Sequence, residues 1–453
     1  MKSPVIMLAL LLAAASAACR SSVDQQREID TWRAVLDEDQ PREVEPLTAG
    51  ETLDLPRAFA LATHFEEGLA RKGEDYLQAL IDRSRQASAL YPAISLAPSA
   101  FVRQHAVGFS VPGNQERRFD VPLQAGYSNF QPWSQVASLD RATAGVEARR
   151  ALLLDARATL LLEVAQAYFS VLRAERQSQV LESALSVQTE RASDVEAQSQ
   201  VGFARTLDVE QARAQAASTR VQLVETRRTA LDARAALAYL VGAPTLEGPL
   251  SEELLVPDED FQAQALLPDA LVARQDLAGA RAESAAALHG VDVAVGQYYP
   301  GVSLNLSYFL YRESVPDNSL WSALVTANLP IFSFGRIHAD VRAAWSVFRQ
   351  AKLTESQVSR RIEQQLATGC ADLRASRERI EALAPQLAAA REAYQQSLDL
   401  ARAGRATHLE ELVAQDQLLA AELALADAGF ARKLAWLALE RARGTLQPGA
   451  RGR

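Results

Sequence analysis

The sequence predicts a mainly helical chain with membrane β-strands, built twice from one module: helix, strand, strand, long helical hairpin. Three observations carry this. Asp140 to Gly242 is free of proline and runs in a helical pattern interrupted once, at Gly202. Segments alternating apolar and polar residues, each half-buried by pattern, precede that stretch and recur later. Gly202 and Gly404, Leu207 and Leu409, and Gly242 and Gly444 each stand 202 residues apart, the mark of an internal duplication.

Residues 1–18 carry Lys2, an apolar run from Val5 to Ala15 and then small residues, the make-up of a secretory signal. Ser16-Ala17-Ala18-Cys19 reads as a bacterial lipoprotein cleavage box, so Cys19 is the expected lipidated first residue. Ala15-Ser16-Ala17 leaves ordinary cleavage after Ala17 open as the alternative. Cys370, the other cysteine, is then expected to be a packed helix residue without a disulfide. No later stretch is apolar enough for a transmembrane helix.

Residues 19–52 form a polar segment, and 53–242 the first repeat. In it, Leu55 to Leu90 reads as one helix with Pro56 in its first turn, ending at Tyr91-Pro92. Strands follow at about 94–110 and 119–130, then a helical hairpin over about 138–242. Val209, Ala212, Ala216, Thr219, Leu223, Thr226, Ala230, Ala233, Leu237 and Leu240 keep alternating three- and four-residue steps, a coiled-coil seam. Residues 243–268, with four prolines and an acidic run, form a linker. The second repeat, 269–444, has a helix to Tyr299-Pro300, strands at about 301–312 and 320–332 and a hairpin over about 336–444; 445–453 is a tail.

Leu418 and Leu412 head two apolar stripes on the last helix, whereas a two-helix hairpin needs one, so this helix is expected to have neighbours on both sides. Four strands with one apolar face cannot bury themselves alone. Lipid can cover that face if the strands close into a barrel, and since roughly eight strands is the minimum, several protomers must share it. Tyr91, Phe101, Tyr127, Trp133, Tyr298, Tyr299, Tyr311 and Trp321 lie near the strand ends, where interfacial aromatics belong.

Enzymatic chemistry is not expected. The histidines, at 64, 105, 289, 338 and 408, form no ligand pairs, and Glu252, Glu253, Asp258, Glu259 and Asp260 read as a solvated linker. A net charge of −9, with lysine only at 2, 72, 352 and 433, excludes a nucleic-acid footprint. No metal or cofactor is expected beyond the lipid on Cys19.

Tyr91-Pro92 and Tyr299-Pro300 before the strands, Leu329-Pro330-Ile331-Phe332 with Gly335 after the last, Val201-Gly202 with Leu207-Asp208-Val209, Gly404 with Leu409-Glu410, and Leu240-Val241-Gly242 form an ordered set. In it the chain resembles the TolC-like outer-membrane efflux protein family over nearly its whole mature length. The resemblance implies a homotrimer whose twelve-stranded barrel in outer-membrane lipid continues into a periplasmic α-helical tunnel. It also implies the exit duct of a tripartite efflux or type I secretion system, working with a periplasmic membrane-fusion adaptor and an inner-membrane pump. The alternative is a lipid-anchored periplasmic coiled-coil scaffold or adaptor without a pore.

By the same resemblance, Val201, Gly202, Phe203, Ala403 and Gly404 are expected to dock the adaptor. Asp208 and Glu410, 202 residues apart, are expected to ring the periplasmic gate, opposed by Arg205 and Arg405. Local roles stay open to both acids: Asp208 as a helix cap and Glu410 as a first-turn carboxylate favoured by the helix dipole.

Overall fold

The computed structural model describes residues 25–36, 45–48, 50–102, 117–312, 319–403, 405 and 407–446. The signal, Cys19, the 103–110 part of the first strand, Gly404 and the end of the tail lie outside them. In chain order the elements are α1 (Gln25–Leu36), α2 (Leu55–Phe65), α3 (Glu67–Ser88), β1 (Ala93–Leu96), β2 (Ser99–Val102), β3 (Arg117–Phe130), α4 (Pro132–Gln200) and α5 (Thr206–Leu240). The second half supplies α6 (Ala263–Ala273), α7 (Gln275–Gly296), β4 (Gly301–Arg312), β5 (Trp321–Asn328), α8 (Arg336–Arg402) and α9 (His408–Arg443).

At 69 residues, α4 is about 100 Å long. It starts at Pro132 rather than near 138, because proline suits the first helical turn, where its missing N–H would have no partner anyway. The helix expected over Leu55 to Leu90 is two helices. Glu66 is extended (φ −76°, ψ 121°), its backbone N–H closing α2 on the Ala62 carbonyl at 3.0 Å while its carboxylate accepts from Leu69 N at 2.6 Å to start α3. The helix expected from 269 breaks likewise at extended Arg274, and α6 takes in Pro268 and reaches back to Ala263, into the expected linker. Glu66 and Arg274 stand 208 residues apart, as do Tyr91-Pro92 and Tyr299-Pro300, so the duplication includes the break.

Duplication is equally plain in the backbone bonds that end the long helices. Phe203 N donates to Gln198 O and Arg405 N to Leu400 O, both at 2.9 Å; Ala243 N donates to Ala238 O at 2.9 Å and Thr445 N to Glu440 O at 3.0 Å. These are the six-to-one bonds of a Schellman ending, which needs a left-handed residue, and Gly202, Gly242 and Gly444 supply φ of 85°, 69° and 80°.

The sheet is antiparallel in the order β1-β3-β4-β5, with β2 pairing further along β3. β1 and β2 share one strand position, interrupted at Ala97-Pro98, and Ala97 N donates across the gap to Pro122 O at 3.1 Å. Pro122 has no N–H to give the ladder, and the β3–β4 register shifts there. β5 is shorter than expected: after Asn328 the chain leaves the sheet at Leu329-Pro330, and Gly335 (φ 83°) opens α8.

All four strand-helix junctions lie at one end of the sheet, where Trp133 and Tyr299 stack at 5.8 Å and the Tyr127 hydroxyl donates to Leu90 O at 2.7 Å. No described helix is long and apolar enough to cross a membrane. The main core lies partway down the helices, where α2, α4, the end of α5 and α9 bury Phe59, Leu61, Leu161, Val164, Phe169, Leu237 and Phe430. Tyr168 sits in it fully buried, its hydroxyl 2.8 Å from Leu53 O and 2.6 Å from Ser251 O, pinning the segment before α2 and the linker to α4. Replacing Tyr168 with Phe leaves the Ser251 carbonyl without that donor and should cost about 1–2 kcal/mol, read as a lowered thermal midpoint with unchanged helical content.

Candidate functional site at the hairpin apices

Two helix pairs, α4 with α5 and α8 with α9, turn back at the end of the molecule remote from the sheet. At the first turn Gly202 holds the left-handed position, and Val201 (67% exposed) and Phe203 (86%) project into solvent. Large apolar side chains on a turn gain nothing by this exposure unless something covers them. Ala403 is likewise exposed at the second turn, and Gly404 lies outside the described residues.

Both expected gate acids sit three residues into their helices and reach back. Asp208 accepts from Arg205 N at 3.0 Å and from the Arg205 guanidinium at 2.9 and 3.1 Å, so those side-chain hydrogen bonds hold its carboxyl below the ordinary range. Arg205 has only donors, so this is half a capping box. Glu410 accepts from Thr407 N at 2.9 Å and Thr407 Oγ1 from Glu410 N at 3.3 Å, a complete box. The residue equivalent to Arg205 is thus Thr407, while Arg405 occupies the place of Phe203; the two apices are not charge-equivalent. Asp208 is buried at 8% exposure, whereas Glu410 is exposed.

Sequence reasoning missed the most buried acid at this end. Glu411 is 2% exposed, ion-paired with Arg191 of α4, and its Oε2 lies 3.6 Å from His408 Nδ1. Burial alone would raise its carboxyl; His408 and Arg191 outweigh burial and hold it below the ordinary range. Its duplicate in the first half is Val209, also buried, so an acid replaces an apolar seam residue in one copy. One residue's rotation of about 100° separates exposed Glu410 from buried Glu411, which a string of residues does not show. The 202-residue register pointing to Val209 was the available signal.

Further polar bridges tie α9 to the first hairpin. Gln215 bonds Asp416, whose carboxyl burial pushes up. Arg173 grips Asp427 with two bonds of 3.0 Å, joined by Gln177 at 2.7 Å, and Arg441 pairs with Asp155 at 2.5 Å. Between the tip and the main core the buried apolar residues are the layer Leu181, Leu223 and Leu419 and the smaller Val195, Val209, Ala212, Ala414 and Ala421. Among the described residues no cluster of His, Cys, Asp and Glu is arranged to hold a metal ion.

With this geometry in place, the comparisons with known proteins fall in line. The family model described as "Outer membrane efflux protein" matches residues 73–243 and 266–445. The outer membrane efflux protein BepC of Brucella suis is 26% identical over 307 residues, 67% of this chain and 66% of that one. The pyoverdine export outer membrane protein OpmQ of Pseudomonas aeruginosa is 29% identical over 338 residues, covering 71% and 66%. Each match spans slightly less than two thirds of the relative. The crystal structure of the outer membrane protein VceC from Vibrio cholerae shares the fold with a TM-score of 0.77 at 22% identity, over 86% of this chain and 96% of that one.

Glu411→Ala, which strands Arg191, should cost about 3 kcal/mol, and Glu411→Val with Arg191→Leu, copying the Val209 seam, should cost less, as compared by thermal melting. The Glu411 contribution is present above the unfolded carboxylate value of 4.5 and is lost as pH falls through the lower folded value. The melting difference between the native chain and Glu411→Gln should therefore narrow on acidification below that point.

Proposed function

The chain belongs to the outer membrane efflux protein family, and from that premise we propose that it is the outer-membrane exit duct of a tripartite efflux or type I secretion system. In this reading it is a passive homotrimeric channel taking substrate from an inner-membrane pump and a periplasmic adaptor. The observation that carries the proposal is the sheet. One face is apolar and uncovered, every residue of β5 is exposed, and among the described residues both edges, β1 with β2 on one side and β5 on the other, lack a pairing strand. Backbone groups at such edges cannot enter lipid unpaired, so copies of this chain must close on one another. Three copies of four strand positions give a twelve-stranded barrel. A pore-free scaffold has no use for such a sheet.

A second uncovered surface supports the same closure. On α5, Val221 (70% exposed), Val224 (62%), Leu231 (69%) and Tyr239 (72%) share one side, turned away from the buried Ala212, Thr219, Leu223 and Leu237. We read this stripe as the contact with a neighbouring copy in the tunnel wall. The helices extend the barrel into the periplasm, and the apices meet the adaptor through Val201, Gly202, Phe203, Ala403 and Gly404. Asp208 and Glu410, with Arg205 and Arg405 nearby, line the mouth as three-fold rings that favour cations.

Lipid on Cys19 fits the placement of α1. Trp32 packs against Gly73 so closely that an added Cβ would lie 2.3 Å from the indole, and Arg157 donates to Leu36 O at 2.8 Å. Arg157 lies about 37 Å along α4 from the sheet, and α1 runs back about 16 Å towards it. The six residues from Cys19 to Gln25 span about 20 Å when extended, enough to reach the bilayer surface at the sheet.

Two measurements test the reading. Purified chain should be detergent-dependent and trimeric by native mass; Val224→Glu with Leu231→Glu should yield monomers, and a soluble monomeric native chain would refute the duct. In single-channel recordings on reconstituted trimers, Asp208→Asn with Glu410→Gln should lower cation preference severalfold, and unchanged selectivity would remove the gate assignment.

A further inference from the structure

The polar face of the sheet has a composition that the duct reading does not require. Registered pairing places Ser95, Gln124, Ser307 and Ser322 side by side, one from each strand position, in a continuous row. The next row on that face is Ala93, Gly126, Asn305 and Leu324, followed by Ser303 with Thr326 and Gly301 with Asn328. From Val121 to Phe130, Gly301 to Tyr311 and Trp321 to Asn328 the strands contain no Asp, Glu, Lys, Arg or His. Strand charges begin only at the far end, with Arg117, Arg118, Asp120 and Arg312, and there Asp120 stands in register with Arg312.

A hollow of about 430 Å³ lies against this face, lined among others by Ser95, Gln124, Gly126, Ser303, Asn305 and Thr326. Ser307 Oγ bonds Asn305 Oδ1 at 3.2 Å, linking two rows. Serine, threonine, asparagine and glutamine each carry both a donor and an acceptor, so such a wall can turn either end of its dipoles to a solute. A ring of fixed charges in a low-dielectric sleeve instead focuses a field of one sign and changes local ion concentration by about ten- to a thousandfold.

Resting on the exit-duct reading, we propose that the membrane section of the duct is a charge-free hydrogen-bonding sleeve about 20 Å long, which passes hydrated cargo of either charge sign. Four residues of the Ser95 row, repeated three times, make a ring of hydroxyls and amides around the lumen. Any preference for one sign is imposed at the periplasmic mouth and not in the barrel.

Thiol labelling in native outer membranes tests this. In a Cys370→Ser background, with Cys19 acylated or itself replaced by Ser, Ser322→Cys and Ala323→Cys place single thiols on opposite faces of β5. Cationic and anionic methanethiosulfonates should both modify Ser322→Cys, with a rate ratio within about fivefold of that for free cysteine, and should leave Ala323→Cys unmodified. Adding Gln124→Glu, which puts three carboxylates into the same row, should shift the ratio about tenfold towards the cationic reagent. A ratio beyond fivefold in the Ser322→Cys chain overturns the charge-free sleeve, as does indifference to Gln124→Glu. If Ala323→Cys reacts as fast as Ser322→Cys, the apolar face is not in lipid, and the exit-duct reading fails with the inference.

Discussion

Backbone hydrogen bonding at the edges of the sheet is the constraint from which the rest follows. Each strand carries donors and acceptors that must be paired wherever water is excluded, and among the described residues of one copy two edges are left open. The same sheet exposes an apolar face that no described helix covers. In the proposed duct, neighbouring copies in lipid meet both deficits at once, and the module is arranged to permit it. All four strand-helix junctions lie at one end, so the helices leave the sheet on the same side and can continue a barrel as a tube.

The long helices face a different problem, because helices about 100 Å long need lateral support far from any globular core. Support is graded along their length. Partway down, α2, α4, α5 and α9 enclose an apolar core with Tyr168 bolting the linker in place, and α6 and α7 add a second cluster against α8 and α9 around Ile362, Leu366 and Leu439. Nearer the apices the buried apolar residues are fewer and smaller, one leucine layer with Val195, Val209, Ala212 and Ala414 beyond it, and polar contacts join them. Arg191, His408 and Glu411 occupy a place where the duplicated half has only Val209 on the seam. An ionic seam needs both partners present, so it holds one arrangement selectively, whereas an apolar seam tolerates sliding.

Much of the architecture was legible in the sequence because it is periodic. Seam spacing marked the hairpins, two-residue alternation marked the strands, and the 202-residue register tied the halves together; the backbone repeats that register bond for bond at Gln198 and Leu400. Proline and glycine marked the turns for steric reasons that do not depend on context. Breaks made by ordinary residues were not legible. Glu66 and Arg274 leave the helix because their capping and packing partners, Leu69 N for one and Asp276 with the Arg441 carbonyl for the other, reward an extended backbone there.

At the apices the sequence by itself determined which residues form the turns and that each returning helix starts with an acid, since capping is local chemistry within four residues. Only the tertiary structure decided which acid is buried against another helix. Asp208 and Glu410 each reach back to their own helix start, and Glu411, one position further round the helix, meets Arg191, which lies 220 residues away in the chain. That meeting depends on how α9 is rotated against α4, and the rotation is set by apolar contacts along the whole interface, Phe430 on Phe169 and Leu419 on Leu181 among them, which no local pattern specifies.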